Sequence, residues 1–142
     1  MKRLLCALAV VVADQLVHFR SLEAPGQARL PAAARYGTAD ARLLAIITAM
    51  EEQCEEPLDA ADLAAIGGIS QRQMERLFSG ELGKRPMEVY LSLRLEKAER
   101  LLTYSHMSVR DVGLACGFGS LPAFSRSFRE KHGKPPTRFR AG

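Results

Sequence analysis

The chain has 142 residues, of which 47% are hydrophobic and 25% charged, a composition that excludes a disordered or fibrous protein and suffices for one helical core. Its formal charge of +4 is unevenly spread: residues 1–69 hold 6 Lys+Arg against 9 Asp+Glu, and residues 70–142 hold 14 against 7. This asymmetry fits a C-terminal half that faces a polyanion, but charge alone does not distinguish it from the basic half that many soluble proteins have.

No catalytic or metal-binding cluster can be assembled from sequence neighbours. Three cysteines (Cys6, Cys54 and Cys116) and three histidines are scattered along the chain, and no nucleotide-binding or hydrolase motif occurs. Cys116 lies at the end of an inward-facing helix, so burial is expected rather than nucleophilic catalysis. We therefore predict a cytoplasmic protein that is not an enzyme and has no cofactor and no metal.

Residues 3–19 are predicted to form an amphipathic helix, followed by a loop over residues 21–38 that is rich in Ala, Pro and Gly. Its apolar stripe is Leu5, Leu8, Val12, Leu16 and Phe19. A signal peptide is the alternative, because Lys2 and Arg3 precede an apolar run. The run is too short to span a membrane, and the stripe continues past any cleavage site, which favours the helix.

The stripe of residues 3–19 needs a partner surface, because a helix of this length is marginal alone in water. It could fold back on the domain, pair with a second chain or stay exposed. Of these outcomes we expect a weak homodimer through residues 3–19.

Downstream, helix 40–55 is predicted to support a helix-turn-helix. The first helix of that motif is capped by Asp59, turns Leu63 and Ile66 inward and ends at Gly67-Gly68. The second helix is capped by Ser70 and keeps an apolar stripe at helical spacing.

A continuous helix over residues 86–104 is predicted next, with Pro86 in its first turn. At 1.5 Å per residue it spans about 28 Å, close to the roughly 34 Å between successive major grooves on one side of DNA. This length lets one chain present two recognition helices to adjacent grooves.

The segment after this helix repeats the first motif at an offset of 50 residues. "SQRQMERLFSGELGKRP", from Ser70, matches "SLPAFSRSFREKHGKPP", from Ser120. Ser108 caps the first helix of this second copy, and Ser120 caps the next. The sequence thus predicts an all-α fold with two helix-turn-helix subdomains joined by a long linker helix, plus the N-terminal amphipathic helix.

Over about residues 40–142 the sequence resembles the AraC/XylS family of transcription regulators. The match rests on "RLEKAERLL" at 94–102, "SVRDVGLACGFGS" at 108–120 and "FSRSFREKHGKPPTRFR" at 124–140. The resemblance implies a seven-helix domain that binds promoter DNA and can contact RNA polymerase. Residues 8–20 also look like the end of a sensor domain of one subgroup, which resembles PfpI-like glutamine amidotransferases. We accordingly expect a sensor remnant and linker over residues 1–38 and the DNA-binding domain over residues 39–142.

Base-reading residues are predicted on the second helix of each copy. Arginine pairs with guanine, glutamine with adenine, and glutamate accepts from cytosine. The second copy begins with Leu121 and Pro122, which cannot hydrogen-bond to base edges, so it is expected mainly to anchor phosphates. The predicted base-reading set is Gln71, Arg72, Glu75, Arg76, Leu121, Ser125 and Arg126.

Phosphate contacts are predicted at basic side chains and at the capped helix starts. The predicted set is Ser70, Lys84, Arg85, Ser120, Lys134, Arg138 and Arg140.

Two alternatives to sequence-specific DNA binding remain open. The exposed face of the first recognition helix could be merely solvated, with Glu75 and Arg76 neutralising each other. The whole chain could instead be a helical protein-interaction module without sequence-specific DNA binding. The salt dependence of binding distinguishes that module from a DNA-binding protein.

Overall fold

In a computed structural model of the chain, residues 32–141 are described, and within that range the secondary structure is entirely helical. The predicted all-α class is therefore confirmed for these residues, whereas the predicted helix of residues 3–19 lies outside them. The helices are α1 (Ala32–Tyr36), α2 (Ala41–Glu52), α3 (Ala60–Ile66), α4 (Gln71–Leu82), α5 (Pro86–Tyr104), α6 (Val109–Ala115), α7 (Leu121–His132) and α8 (Pro136–Ala141).

Short polar side chains begin the helices of both motifs. Asp59 accepts a hydrogen bond from the Asp62 N–H at the start of α3, and Ser108 accepts one from Asp111 at the start of α6. The capping serines predicted for α4 and α7 are also present. Because each cap satisfies an N–H group that has no partner within its helix, the helix starts follow directly from sequence.

Helices α2, α3 and α4, which we call the first unit, enclose one apolar core. Leu43, Ile47 and Leu63 are fully buried in it, together with Phe78 from α4. The inward position expected for Ile66 is wrong: its side chain is 45% exposed. Ile66 is the last residue of α3, and Ala64 takes the buried position instead.

Helices α6, α7 and α8, the second unit, enclose a separate core built around aromatic rings. Phe124 and Phe128 of α7 are fully buried, with ring centroids 5.7 Å apart in an edge-on arrangement. Phe139 of α8 packs edge-on against Phe128 at 5.3 Å. Such edge-to-face pairs are the favoured geometry of aromatic rings and give this core a defined shape.

The linker helix α5 begins and ends at the predicted residues and contributes to both cores. Its first half buries Val89, Tyr90 and Leu93 in the core of the first unit. Its second half buries Leu95 and other side chains in the core of the second unit. The two units are therefore joined by a helix that belongs to both.

Part of the predicted loop is helical, since α1 occupies residues 32–36. Its Arg35 forms an ion pair with Glu51 of α2, and Tyr36 packs against the first core. After the turn, the Thr38 hydroxyl donates a 3.0 Å hydrogen bond to Glu81 of α4. These contacts tie α1 to the first unit, an association that local composition does not predict.

Within residues 32–141 no helix is both long and apolar enough to traverse a bilayer. Over the same range no group of three or more His, Cys, Asp or Glu side chains is arranged to hold a metal ion.

Candidate nucleic-acid interface

Helix α4 presents a polar face opposite its buried side. Met74 and Phe78 are buried, whereas the four side chains predicted to read bases are all exposed. These are Gln71, Arg72, Glu75 and Arg76. Their arrangement follows from the 3.6-residue period, which separates the apolar stripe from the positions between its members. The helix therefore carries both donors and acceptors suited to base edges on one accessible face.

The start of α4 is held by a reciprocal capping box. The Ser70 hydroxyl accepts from the Gln73 N–H at 3.1 Å, and the Gln73 side chain accepts from the Ser70 N–H at 2.9 Å. The Ser70 N–H is thus already engaged. The N–H groups of Gln71 and Arg72, in the first helical turn, have no acceptor within an α-helix and remain suited to a phosphate.

Helix α7 also begins at a capping serine but presents a different face. Its Ser120 hydroxyl accepts from the Ala123 N–H at 3.2 Å. Leu121 is 44% exposed at the helix start, Arg126 is exposed, and Ser125 is half-buried beside Phe124. The entry to this helix is therefore more apolar than the entry to α4.

A cavity of about 260 Å³ lies beside the start of α7. One of the residues that line it is Arg110, a basic side chain that the sequence analysis did not single out. Arg110 and Leu114 of α6 line the cavity together with Ser120 and Leu121. Arg110 is exposed in the first turn of α6. Its counterpart in the first copy is Ala61, which lies 49 residues earlier because the turn of the second copy has one more residue. The repeat therefore gave no signal for Arg110.

Four of the basic side chains predicted to contact phosphate are exposed. Lys84 and Arg85 follow α4, and Lys134 follows α7 at the equivalent place in the repeat. The fourth is Arg138 of α8. The Lys134 ammonium also lies 5.4 Å from the centre of the Phe139 ring, which places it at the edge of the second core.

Arg140 does not have the free guanidinium that the sequence led us to expect. It donates hydrogen bonds to the carbonyl oxygens of Leu102, at 3.3 Å, and of Met107. Longer contacts reach the carbonyls of Leu101 and Ser105 at 3.5 and 3.4 Å. These carbonyls lie at and just beyond the end of α5, where acceptors lack helical partners. Arg140 therefore has a structural position, whereas its contact with phosphate stays a prediction.

Lys131 is likewise tied to the linker helix. Its ammonium donates to the Ser92 carbonyl at 3.2 Å and lies 3.5 Å from the Glu96 carboxylate. The positive charge of the C-terminal segment thus divides into side chains that hold the fold and side chains that face solvent.

Two capped helix-turn-helix units, each with a polar second helix and exposed cations beyond it, define a DNA-binding domain. A family model described as "Helix-turn-helix domain" matches residues 63–142. A crystal structure of a transcriptional regulator with an AraC-type DNA-binding domain, from Chromobacterium violaceum, is 43% identical; the match covers 70% of this chain and 89% of that one, with a TM-score of 0.68.

Two further relatives are also transcriptional regulators. The HTH-type transcriptional regulator CdhR of Pseudomonas aeruginosa is 42% identical over 134 residues, which are 94% of this chain and 40% of that protein. The DNA-binding domain of the global transcriptional factor AdpA, solved in complex with a target DNA, is 33% identical, with a TM-score of 0.67 and coverage of 70% and 90%. The chain belongs to the family of AraC-type helix-turn-helix domains of transcriptional regulators, and it spans about two fifths of the length of the curated relative.

Proposed function

We propose that this chain recognises a specific promoter sequence in duplex DNA through its two helix-turn-helix units and thereby regulates transcription. The observation that carries the proposal is the exposed face of α4, where Gln71, Arg72, Glu75 and Arg76 stand opposite a fully buried stripe. An α-helix fits the major groove, and there each base pair shows a distinct pattern of donors and acceptors.

The two units have unequal tasks. In the first unit, Arg72 and Arg76 can each pair with the O6 and N7 atoms of guanine, and Gln71 with adenine. In the second unit, Leu121 can at best touch a thymine methyl, and Ser125 is half-buried. The first unit therefore supplies most of the sequence specificity, and the second unit supplies affinity.

Phosphate contacts hold the domain on the duplex. Exposed Lys84 and Arg85 beyond α4 serve the first unit, and exposed Lys134 and Arg138 serve the second. Arg110 joins this set because it lies at the cavity beside the start of α7. Such contacts fix position and orientation without reading sequence.

The test is selection of bound duplexes from a random library by the full chain at a stated salt concentration. We expect a recurring site in which one half is strongly specified and the other weakly. A double variant, Arg72→Ala with Arg76→Ala, should lose the strongly specified half, while Lys134→Ala should keep the same site at lower affinity. Recovery of no recurring sequence by the unaltered chain would reject the proposal.

We also propose that residues 8–20 correspond to the end of a PfpI-like sensor domain. The similarity to CdhR supports only a shared N-terminal segment, because its 134 residues exceed the 104 residues of 39–142. The PfpI-like identity of that segment rests on the resemblance of residues 8–20. Measurement of ligand-dependent DNA binding in a protein with an upstream sensor joined to this chain tests the idea. We further propose that the protein is cytoplasmic and contacts RNA polymerase, which its membership of the family supports. We also propose that it self-associates weakly through residues 3–19, which the apolar stripe of that segment supports.

A further inference from the structure

The two helix-turn-helix units touch each other directly, in addition to sharing α5. The main chain of Gly117, in the turn between α6 and α7, lies against the loop that follows α2. A Cβ atom at Gly117 would overlap the Cys54 carbonyl oxygen and come within 2.7 Å of Pro57 Cγ. We call this meeting of loop 53–58 with turn 116–118 the inter-unit contact.

One face of the linker helix binds both sides of the inter-unit contact. Tyr90 is 1% exposed; its hydroxyl donates to the Gln53 carbonyl and accepts from the Leu58 N–H at 3.0 Å. Burial raises the pKa of Tyr90 to about 12, so the hydroxyl keeps the proton that it donates. Tyr90 thereby fixes both ends of the loop from the first unit.

Arg94, one helical turn later, holds the other side. Its Nε donates to the Cys116 carbonyl at 2.7 Å, and its Nη2 donates to the Gly117 carbonyl at 2.8 Å. The guanidinium carbon also lies 4.5 Å from the centre of the Phe118 ring. Lys97, on the same helix face, donates to the Ala115 carbonyl at 3.3 Å. The planar guanidinium reaches two consecutive carbonyls at once, which fixes an orientation as well as a distance.

The repeat provides an internal comparison. Gly68 stands in the first copy where Gly117 stands in the second, and both have positive φ angles, +67° and +83°. A Cβ atom at Gly68 would meet nothing within 4 Å. The turn itself therefore explains a glycine at both positions, but the close approach of another unit exists only at Gly117.

We infer that the inter-unit contact fixes the distance and angle between the two recognition helices α4 and α7, with Arg94 and Gly117 as its positioning residues. This rests on the proposed function, because a fixed arrangement of two recognition helices sets the spacing of the two half-sites that the protein accepts. One added base pair moves a half-site by 3.4 Å and turns it by about 34°, which a rigid pair of units cannot follow.

The first experiment measures the arrangement without DNA. Spin labels at Ser79→Cys in α4 and Glu130→Cys in α7, both exposed positions, report the distance between the recognition helices in the full chain. Cys6→Ser removes one competing thiol, and Cys54 and Cys116 are buried. We expect a narrow distance distribution that broadens in Gly117→Ala and in Arg94→Met and stays narrow in the matched control Gly68→Ala.

The second experiment uses DNA sites whose half-sites are moved by one base pair in either direction. The unaltered chain should lose about tenfold or more in affinity, comparable to one mismatched base pair. In Gly117→Ala and Arg94→Met this loss should shrink to about threefold or less, and Arg94→Lys should show a loss between that of the unaltered chain and that of Arg94→Met. A structural defect alone would instead lower the affinity for every spacing equally.

The outcomes separate the two proposals. An unchanged label distribution in folded Arg94→Met overturns the positioning role, even if Gly117→Ala fails to fold. Absence of any preferred DNA site in the unaltered chain overturns the proposed function, while the label distances still decide on the inter-unit contact.

Discussion

Arg76 and Arg126 occupy the same place in the two copies, each six residues beyond the serine that caps its helix and each exposed. Their surroundings differ: Arg76 shares its face with Arg72 and Glu75, whereas Arg126 follows the apolar entry of α7. Equivalent arginines are therefore expected to contribute unequally to specificity.

Replacement of Arg76 by alanine should cost about 1–3 kcal/mol on the best site and relax the preference at one base position. Arg126→Ala should weaken binding with less change in the preferred sequence, and Lys134→Ala should weaken all sequences alike. Affinities for the best site and for single-base variants of it provide the measurement. If Leu121→Ala altered the preferred sequence as much as Arg76→Ala does, the ranking of the two units would be wrong.

Binding by the full chain should weaken steeply with salt, by about 10³-fold or more between 50 and 200 mM if at least six phosphates are contacted. Titrations at four or more salt concentrations give the slope of affinity against salt on logarithmic axes. A flat profile would favour a protein-interaction module instead.

Arg138 and Arg140 form a matched pair for the same titrations. Arg138→Ala should reduce the salt slope by about 1 and leave thermal stability unchanged, because its side chain is exposed. Arg140→Ala should keep the slope and lower the melting temperature, because it leaves the carbonyls beyond α5 without their donor. The opposite pattern would restore Arg140 to the phosphate-binding set.

The cap of α2 predicts a pH dependence. A hydrogen bond from the Arg42 side chain, together with main-chain N–H groups, lowers the pKa of Asp40 to about 2. The pKa of Asp40 is lower in the folded protein than in the unfolded chain, where it is about 3.9, so the carboxylate stabilises the fold at pH values above about 3.9. This contribution is lost as the pH falls through the pKa of the folded protein. Asp40→Ala should therefore lower the melting temperature at pH 7, and the difference should shrink as the pH falls towards 2, to what a neutral capping oxygen contributes. Asp40→Asn, which keeps a neutral capping oxygen, should retain part of the stability.

Self-association is tested by removing residues 1–31. The shorter chain should start at Ala32, because Tyr36 packs against the first core. We expect the sedimentation mass of the full chain to rise with concentration and that of the shorter chain to stay monomeric. Equal, concentration-independent masses would reject dimerisation through residues 3–19.

Most of the fold was predictable because its signals are local. The caps Asp59, Ser70, Ser108 and Ser120 and the first-turn Pro86 act within one helical turn, and each marks a helix start that the structure has. The side chains of Gln71, Arg72, Glu75 and Arg76 were also placed correctly on an exposed face, since periodicity alone separates them from Met74 and Phe78.

What the sequence did not predict depends on contacts between distant residues. In the sequence, Arg140 is one more basic residue of a basic segment. It hydrogen-bonds to the carbonyls of Leu102 and Leu101 only because α8 packs against the end of α5. An ion pair between Arg35 and Glu51 ties helix α1 to the first unit, and no local pattern in the sequence predicts this contact. The glycine of the second turn likewise gives no hint of its approach to Pro57.

Because α5 buries side chains in both cores, neither unit keeps its full hydrophobic interior if the other unfolds. Val89 and Leu93 belong to one core, and Leu95 and Leu102 to the other, with only one residue between Leu93 and Leu95. Loss of either core frays the helix from that side and removes the surface on which the other packs. The domain should therefore melt in one transition, with calorimetric and van't Hoff enthalpies equal. A gene cut between the repeats would then yield two unstable halves rather than two small DNA-binding proteins.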